Sequence, residues 1–290
     1  MVLESLISPE KAERKPLELF IIGFIYVSIA IIVSVLFFKG EDVSLLIIAF
    51  TAMTSSILMY RTLRFEEKKA LVDHNEINLL KKHSKFLNFF IFLFLGYTFA
   101  FLFWYLISGV LFTSYNINVS NLFGIQLKTI KSINPTLSVS GMLFSSNSFF
   151  FDILFNNLSV LFISFLFSLL YGLGAIFILV WNASVLGIAI GIYINQLLGA
   201  VLSTAGVIST QHYFSVFLLS LSRFLVHGIP EMLAYFLAGL AGGLISVAIM
   251  NNDSKSFPVI FKDSLSIMLI ALAVTLISAI IEAYFIVPLF

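Results

Sequence analysis

The chain has 290 residues, of which 60% are hydrophobic and only 11% are charged, and its formal net charge is +1. So few charges cannot cover that much apolar surface in water, so the composition excludes a soluble globular protein and predicts an all-α, polytopic transmembrane helix bundle. The near-neutral charge favours no nucleic-acid partner, and the lack of cysteine excludes disulfides, thiolate catalysis and cysteine metal sites.

Two apolar runs near the N-terminus, at residues 17–38 and 43–60, are long enough to cross the membrane. At about 1.5 Å per residue, each approaches or exceeds the ~30 Å thickness of the hydrocarbon layer. The first run is too long for the core of a cleavable signal peptide, so we expect it to stay in place as an anchor. The second contains four Ser and Thr residues between positions 51 and 56, which usually face other helices.

A strongly charged stretch follows at residues 61–85 and holds seven Lys or Arg residues. Because positive charge concentrates on the cytoplasmic side of membrane proteins, we place this stretch and the N-terminus in the cytoplasm. Apolar residues recur among the charges, which favours one or two amphipathic helices at the surface of a cytoplasmic membrane. The stretch is either a solvated loop or a docking surface for a cytoplasmic protein or acidic lipid.

A third predicted span, at residues 86–112, precedes a polar region rich in Ser and Asn. By alternation across the membrane, residues 113–148 are expected to form an exposed loop outside the cytoplasm, where an outer protein partner could bind. The first 148 residues therefore form a three-span N-terminal part, and residues 149–290 form a second part of the same membrane domain. The second part is richer in glycine and other small residues.

Four further spans are predicted in the second part, at residues 150–180, 183–202, 230–250 and 264–287. This makes about seven spans in all. The apolar piece at 213–227 is too short to cross with ease and suits a short re-entrant or interfacial helix. If it does cross, the number of spans becomes eight. Three small residues spaced four apart form a stripe that lets two helix backbones approach closely: Ala183, Gly187 and Gly191.

Ionisable residues cluster around a predicted helix break at Gly228 and Pro230. Proline is favoured in the first turn of a helix, so we expect one helix to end near His227 and another to begin at Pro230. Glu231 would then lie in a first turn, where the helix dipole stabilises a carboxylate. Three small residues share its helix face, which indicates contact with other helices: Ala234, Ala238 and Gly242.

A second acid, Glu282, lies in the last span on a face with Ser278 and Thr275. The last two spans are antiparallel and joined by a short loop. The number of residues from Glu231 to the end of its span is nearly the same as the number from the start of the last span to Glu282. Both acids are therefore expected at the same membrane depth, roughly 27–29 Å from the loop.

One face of the membrane is thus predicted to collect six polar residues: Asn156, Asn157, Arg223, His227, Glu231 and Glu282. Ionisable residues inside a membrane usually have a function, such as a proton or ion path. The alternative is a buried hydrogen-bonded network that locks helices together. The spacing matches no known metal-ligand motif, and no nucleophile is paired with a base, so we predict no catalytic residue, no metal and no cofactor.

Four segments of the second part, in this order, resemble the stage II sporulation protein M family of integral membrane proteins. They are "FFDILFNN", "WNASVLGIAIG", "HGIPEMLAYFLAGLAGG" and "IEAYF". The resemblance covers roughly residues 149–290. Ala183 stands where the family usually has glycine. The family's motif positions fall on Asn156, Asn157, Asn182, His227, Gly228, Glu231 and Glu282.

The resemblance implies a non-enzymatic role. In spore-forming bacteria the family's namesake is a membrane scaffold that holds peptidoglycan-degrading enzymes, although most relatives occur in prokaryotes that form no spores. We therefore expect a scaffold or assembly partner for envelope or membrane-associated proteins, in contact with membrane lipid and with a homo-oligomer as one possible state. The alternative function is a transport permease subunit, or an ion or solute pathway, that uses the Glu231 and Glu282 cluster.

Overall fold

The computed structural model describes residues 16–38, 43–72, 84–111, 119–133, 146–171, 174–250 and 257–286, and almost all of them are helical. Seven of the helices are long and apolar enough to cross a membrane, which confirms the all-α polytopic bundle. In chain order the helices are α1 (Pro16–Phe37), α2 (Val43–Val72), α3 (Ser84–Leu111), α4 (Val119–Ile133), α5 (Ser146–Tyr171), α6 (Gly174–Ala205), α7 (Thr210–Met250) and α8 (Phe257–Ile281), and a π-helix (Glu282–Ile286) follows α8.

The charged stretch that begins at Arg61 continues the second spanning helix instead of starting a new one. α2 runs 30 residues to Val72, and Thr62 and Leu63 are still buried in the bundle. Residues 73–83 lie outside the described part of the chain. A cytoplasmic partner at 61–85 therefore stays a prediction.

The boundary between the fourth and fifth spans lies about ten residues earlier than predicted. α5 ends at Tyr171 and α6 begins at Gly174, whereas the sequence favoured a boundary near 180–183. Gly174 fits the earlier boundary, because a β-carbon there would clash with the carbonyl oxygen of Phe167 in α5, so glycine lets α6 begin close to α5. Asn182 lies inside α6, where its Nδ2 donates a hydrogen bond of 2.8 Å to the carbonyl oxygen of Ile178.

The predicted helix break at Gly228 and Pro230 is wrong. α7 is a continuous helix of 41 residues with Pro230 inside it, and residues 213–227 form its first half and not a separate short helix. Pro230 lacks an N–H and so removes one hydrogen bond, to the carbonyl of Val226. Membrane helices tolerate this loss because ending the helix would leave several more backbone groups without partners in an apolar surrounding.

The predicted exposed loop at 113–148 contains a packed helix. In α4 the side chains of Leu122, Phe123, Gln126 and Ile130 are buried against the bundle. Their spacing places them on one face of the helix, while Lys128 on the opposite side is exposed. The exposed-loop prediction is therefore wrong for residues 119–133. An outer partner at 113–148 stays a prediction.

Gln126 is completely buried, and its Oε1 has no hydrogen-bond partner among the described residues. Its Nε2 lies 3.4 Å from the hydroxyl of Ser184, which is a long hydrogen bond. We expect Gln126→Met to leave the stability unchanged or to raise it by up to about 1 kcal/mol, because an unsatisfied polar group is removed at similar volume. Thermal unfolding of the purified protein measures this, with exposed Gln196→Met as the control. A loss of more than about 1 kcal/mol would contradict the expectation.

Glycines let the helices of the two halves approach closely. A β-carbon added at Gly23 of α1 would lie 2.7 Å from the carbonyl oxygen of Leu93 in α3. A β-carbon at Gly187 of α6 would lie 2.5 Å from the carbonyl oxygen of Thr98, also in α3, and one at Gly191 would meet the ring of Tyr105. α3 therefore packs backbone to backbone between α1 and α6, as small residues allow in membrane helices.

The second half of α7 is the centre of the bundle, and residues 234–248 are all buried. A β-carbon at Gly239 would touch Ala175 of α6, and one at Gly243 would lie 2.9 Å from the side chain of Leu63 in α2. A β-carbon at Gly242 would clash with the carbonyl oxygen of Phe165 in α5. Three helices thus reach α7 through glycine positions. The larger hydrophobic core contains residues from Leu19 to Ala271, so the 1–148 and 149–290 parts share it.

Candidate functional site: an acid pair beside a central cavity

The structure brings the two predicted acids together. Glu231 lies on α7, and Glu282 is the first residue of the π-helix after α8. Both carboxyl groups are partly buried, and they are close enough to interact electrostatically. Both lie at the end of the bundle where the third span ends at Ser108 and the fourth span begins at Phe150. The ring of Tyr284, two residues after Glu282, contacts the ring of Phe150 at this end, 6.0 Å between centroids.

Tyr235 is the direct partner of Glu231. It lies one helical turn further along α7, and its hydroxyl donates a hydrogen bond of 2.6 Å to Glu231 Oε1. Tyr235 is itself buried and also interacts electrostatically with Glu282. The sequence analysis missed this residue, although its spacing of four from Glu231 is a usable signal, since residues i and i+4 are neighbours on a helix surface.

The π-helix at Glu282 is a second feature that the sequence analysis missed. A π-helical turn is rare and occurs often at functional sites. Here the turn places Glu282 against α7 and carries Ala283 into the buried interior. Nothing in the residues "EAYFI" distinguishes a π-helical turn from an α-helical one, so this feature depends on the packing around it.

A small cavity lies beside Tyr235, between α2, α3, α5, α6 and α7. Three polar side chains line it: Tyr235, Ser164 of α5 and Asn182 of α6. Ser164 is 1% exposed, and its hydroxyl has no hydrogen-bond partner among the residues that the structure describes. The remaining lining is apolar and comes from Met59, Phe86, Phe90, Ala175, Ile178, Leu179, Met232, Phe236 and Gly239.

The other predicted cluster residues have separate surroundings. Asn157 is 2% exposed and its Nδ2 lacks a partner within the described ranges, whereas Asn156 is exposed and donates to Asn157 Oδ1 at 3.4 Å. Arg223 lies about 12 Å along α7 from Glu231. Its guanidinium packs over the ring of Tyr193 in α6, 4.5 Å from the centroid, so it belongs to the α6–α7 contact.

His227 is part of α7, and its side chain lies outside the described structure. The predicted small residues face neighbouring helices. Ala183, Gly187 and Gly191 lie in the buried side of α6, and Ala234, Ala238 and Gly242 lie in the buried centre of α7. Within the described ranges, no group of three or more His, Cys, Asp or Glu residues could hold a metal ion.

Comparison with known proteins gives one match. The sequence model of the family described as "Stage II sporulation protein M" matches residues 19–285. The match extends well beyond residues 149–290, so it includes the first three spans, for which the sequence analysis found no counterpart. No curated protein and no solved structure matches the chain. Because the family match covers nearly the whole sequence, the chain belongs to the stage II sporulation protein M family.

Proposed function

We propose that this protein is a non-enzymatic membrane scaffold that docks a partner on the hairpin formed by the end of α6 and the start of α7. The observation that supports the proposal is a row of exposed, large apolar side chains on a preformed hairpin that is longer than the membrane is thick. The docked partner in this proposal is another membrane protein, which contacts the hairpin through an apolar segment that extends beyond the hydrocarbon layer.

The lengths of the two helices place the hairpin tip beyond the hydrocarbon layer. α6 has 32 residues and α7 has 41, so they are about 48 and 62 Å long, against a hydrocarbon layer of about 30 Å. Gly187 and Gly191 pack against the part of α3 that contains Thr98 and Tyr105, shortly before that span ends at Ser108. The residues of α6 that follow Ile194 therefore extend past the end of the α3 span.

The base of the hairpin is packed and holds the two helices together. Ile190 and Ile194 of α6, Val216 of α7 and Leu102 of α3 form a second hydrophobic core. A surface that is rigid before binding loses little conformational entropy when a partner docks.

The exposed surface of the hairpin carries large apolar side chains among Ser, Thr, Asn and Gln residues. Residues 195–222 contain no Asp, Glu, Lys or Arg. Exposed apolar groups of this extent usually mark a contact with protein or membrane, and an uncharged surface favours an uncharged partner. The large exposed side chains of this surface are Leu202, Val207, Tyr213, Phe214, Leu218 and Leu219.

A photo-crosslinking amino acid at Phe214, in the full-length protein in its native membrane, tests the proposal. Phe214 is 64% exposed on the hairpin, and we expect it to yield a discrete adduct with another membrane protein. The control position is Phe151, which is 54% exposed on the spanning helix α5 and is expected to yield adducts with lipid. Lipid adducts alone at Phe214 would contradict the scaffold. An adduct of twice the chain's mass would mean that the hairpin joins two copies of this protein, which would overturn the proposed partner.

A further inference from the structure

We infer that Glu231, Tyr235 and the cavity lined by Ser164 and Asn182 form a route for proton transfer through the interior of the bundle. The inference concerns the buried acid pair and the cavity, and it is independent of the hairpin and of the proposed scaffold.

The acid pair provides a place for a positive charge. Glu231 and Glu282 interact electrostatically inside a protein surrounded by apolar side chains, where the repulsion between two negative charges is strong. Tyr235 is a described side chain that contacts the pair, through its hydrogen bond to Glu231 Oε1. A proton on either carboxyl group removes this repulsion.

Tyr235 connects the pair to the cavity. Its hydroxyl donates to Glu231 Oε1, and the same side chain lines the cavity with Ser164 and Asn182. A tyrosine hydroxyl both donates and accepts hydrogen bonds. Its oxygen can therefore accept a hydrogen bond on the cavity side while its proton is directed at Glu231.

The cavity is suited to water and unsuited to a hydrated ion. The buried hydroxyl of Ser164 has no protein partner within the described part of the chain, and such groups are usually satisfied by ordered water. Most of the remaining lining is apolar and includes Met59, Phe86 and Phe236, so a larger cation would find few oxygen ligands. Protons, in contrast, can move along a short chain of water and hydroxyl groups.

The acid pair and the cavity lie at different depths, as a route requires. Glu231 and Glu282 lie near the start of the sixth span and the end of the seventh. Met59 and Phe86 lie near the end of the second span and at the start of the third, which is the opposite end of the bundle. Tyr235 lies between them.

The transfer step conserves atoms and charge. A water in the cavity gives a proton to Tyr235 Oη as the tyrosine's own proton passes to Glu231 Oε1, so that one O–H bond forms and one breaks at the tyrosine oxygen. The hydroxide left in the cavity accepts a proton from a hydronium ion that reaches it from the end lined by Met59, so that both become neutral water. Glu231 then gives its proton to the Glu282 carboxylate, which gives it to water at the acid pair's end of the bundle, and no electron is transferred.

Proton flux into vesicles that contain the full-length protein and an internal pH-sensitive dye tests the inference, with a potassium diffusion potential as the driving force. We expect flux several-fold above that of protein-free vesicles, and a fall to the level of protein-free vesicles with Glu231→Gln and with Tyr235→Phe. The matched control is Asp152→Asn, which removes an exposed carboxylate on α5 and is expected to leave the flux unchanged.

Wild-type flux equal to that of protein-free vesicles would overturn the inference, as would unchanged flux in both variants. If Glu231→Gln does not fold, Tyr235→Phe alone decides, because it keeps the ring and removes only the hydroxyl. A current that requires sodium in place of protons would show a cation site, which also contradicts the proton route. Crosslinking at Phe214 is unaffected by any of these results, so the failure of this inference and the failure of the scaffold are distinguishable.

Discussion

Gly187→Leu is expected to destabilise the protein strongly, because it adds a side chain where α6 packs directly against the backbone of α3. Even the β-carbon of a new side chain would lie 2.5 Å from the carbonyl oxygen of Thr98 and 3.0 Å from the backbone nitrogen of Leu102. These are backbone atoms of α3, so they cannot move aside as the end of a flexible side chain can. α6 and α3 must separate, and the loss of packing is expected to cost about 3 kcal/mol or more.

Thermal unfolding of detergent-purified protein, followed by size-exclusion chromatography, measures this effect. Gly199→Leu is the matched control, because Gly199 lies on the same helix and a β-carbon there would meet nothing within 4 Å. We expect the control to unfold within a few degrees of wild type, while Gly187→Leu loses most of its monodisperse peak at the same temperature. Equal unfolding temperatures for the two variants would mean that α3 and α6 do not pack as described.

Phe236→Ala is expected to lower the free energy of unfolding by about 3–5 kcal/mol, the usual range for removal of a buried aromatic ring. The ring of Phe236 lies 5.7 Å from that of Phe90 and 5.8 Å from that of Phe94, so it joins α7 to α3. It also lines the central cavity, and its removal would enlarge a space that the neighbouring side chains already leave open. The unfolding temperature should fall by roughly 6–20 °C.

Phe214→Ala is the matched control for this second change. It removes the same ring from the same helix, but Phe214 is exposed on the hairpin and makes little contact within the protein. We expect a change of less than about 0.5 kcal/mol for Phe214→Ala in the purified chain. If Phe236→Ala costs no more than its control, the description of α7 as the central helix is wrong.

Much of the fold could be predicted because a membrane restricts what a chain can form. Runs of about 20 apolar residues can only be spanning helices, so their number and order followed from hydropathy. The position of individual ends was harder to predict. The sequence favoured a boundary between residues 180 and 183, whereas α6 begins at Gly174, which lies close to the backbone of α5. The helix α4 was not predicted, because its apolar residues form only one face of a mostly polar segment.

The acid pair could be predicted in part. Counting residues from the loop between the last two spans placed Glu231 and Glu282 at one depth, because an α-helix rises by a fixed amount per residue. The same counting could not place Arg223, whose guanidinium reached an aromatic ring on α6. It could not find Ser164 either, since a serine on a spanning helix gives no signal of which neighbour it faces.

The residues around Pro230 show which features follow from the sequence alone and which require the tertiary structure. The sequence by itself determined that this is a bundle of about seven apolar helices with two acids inside the membrane at matching depth, because hydrophobicity and helical rise are local properties. Only the tertiary structure decided that α7 passes through Pro230 without ending, that Tyr235 hydrogen-bonds to Glu231 and that a cavity lies beside it. Those features depend on which helices pack against α7, and that depends on residues distant in the chain, such as Leu63 of α2 and Ala175 of α6.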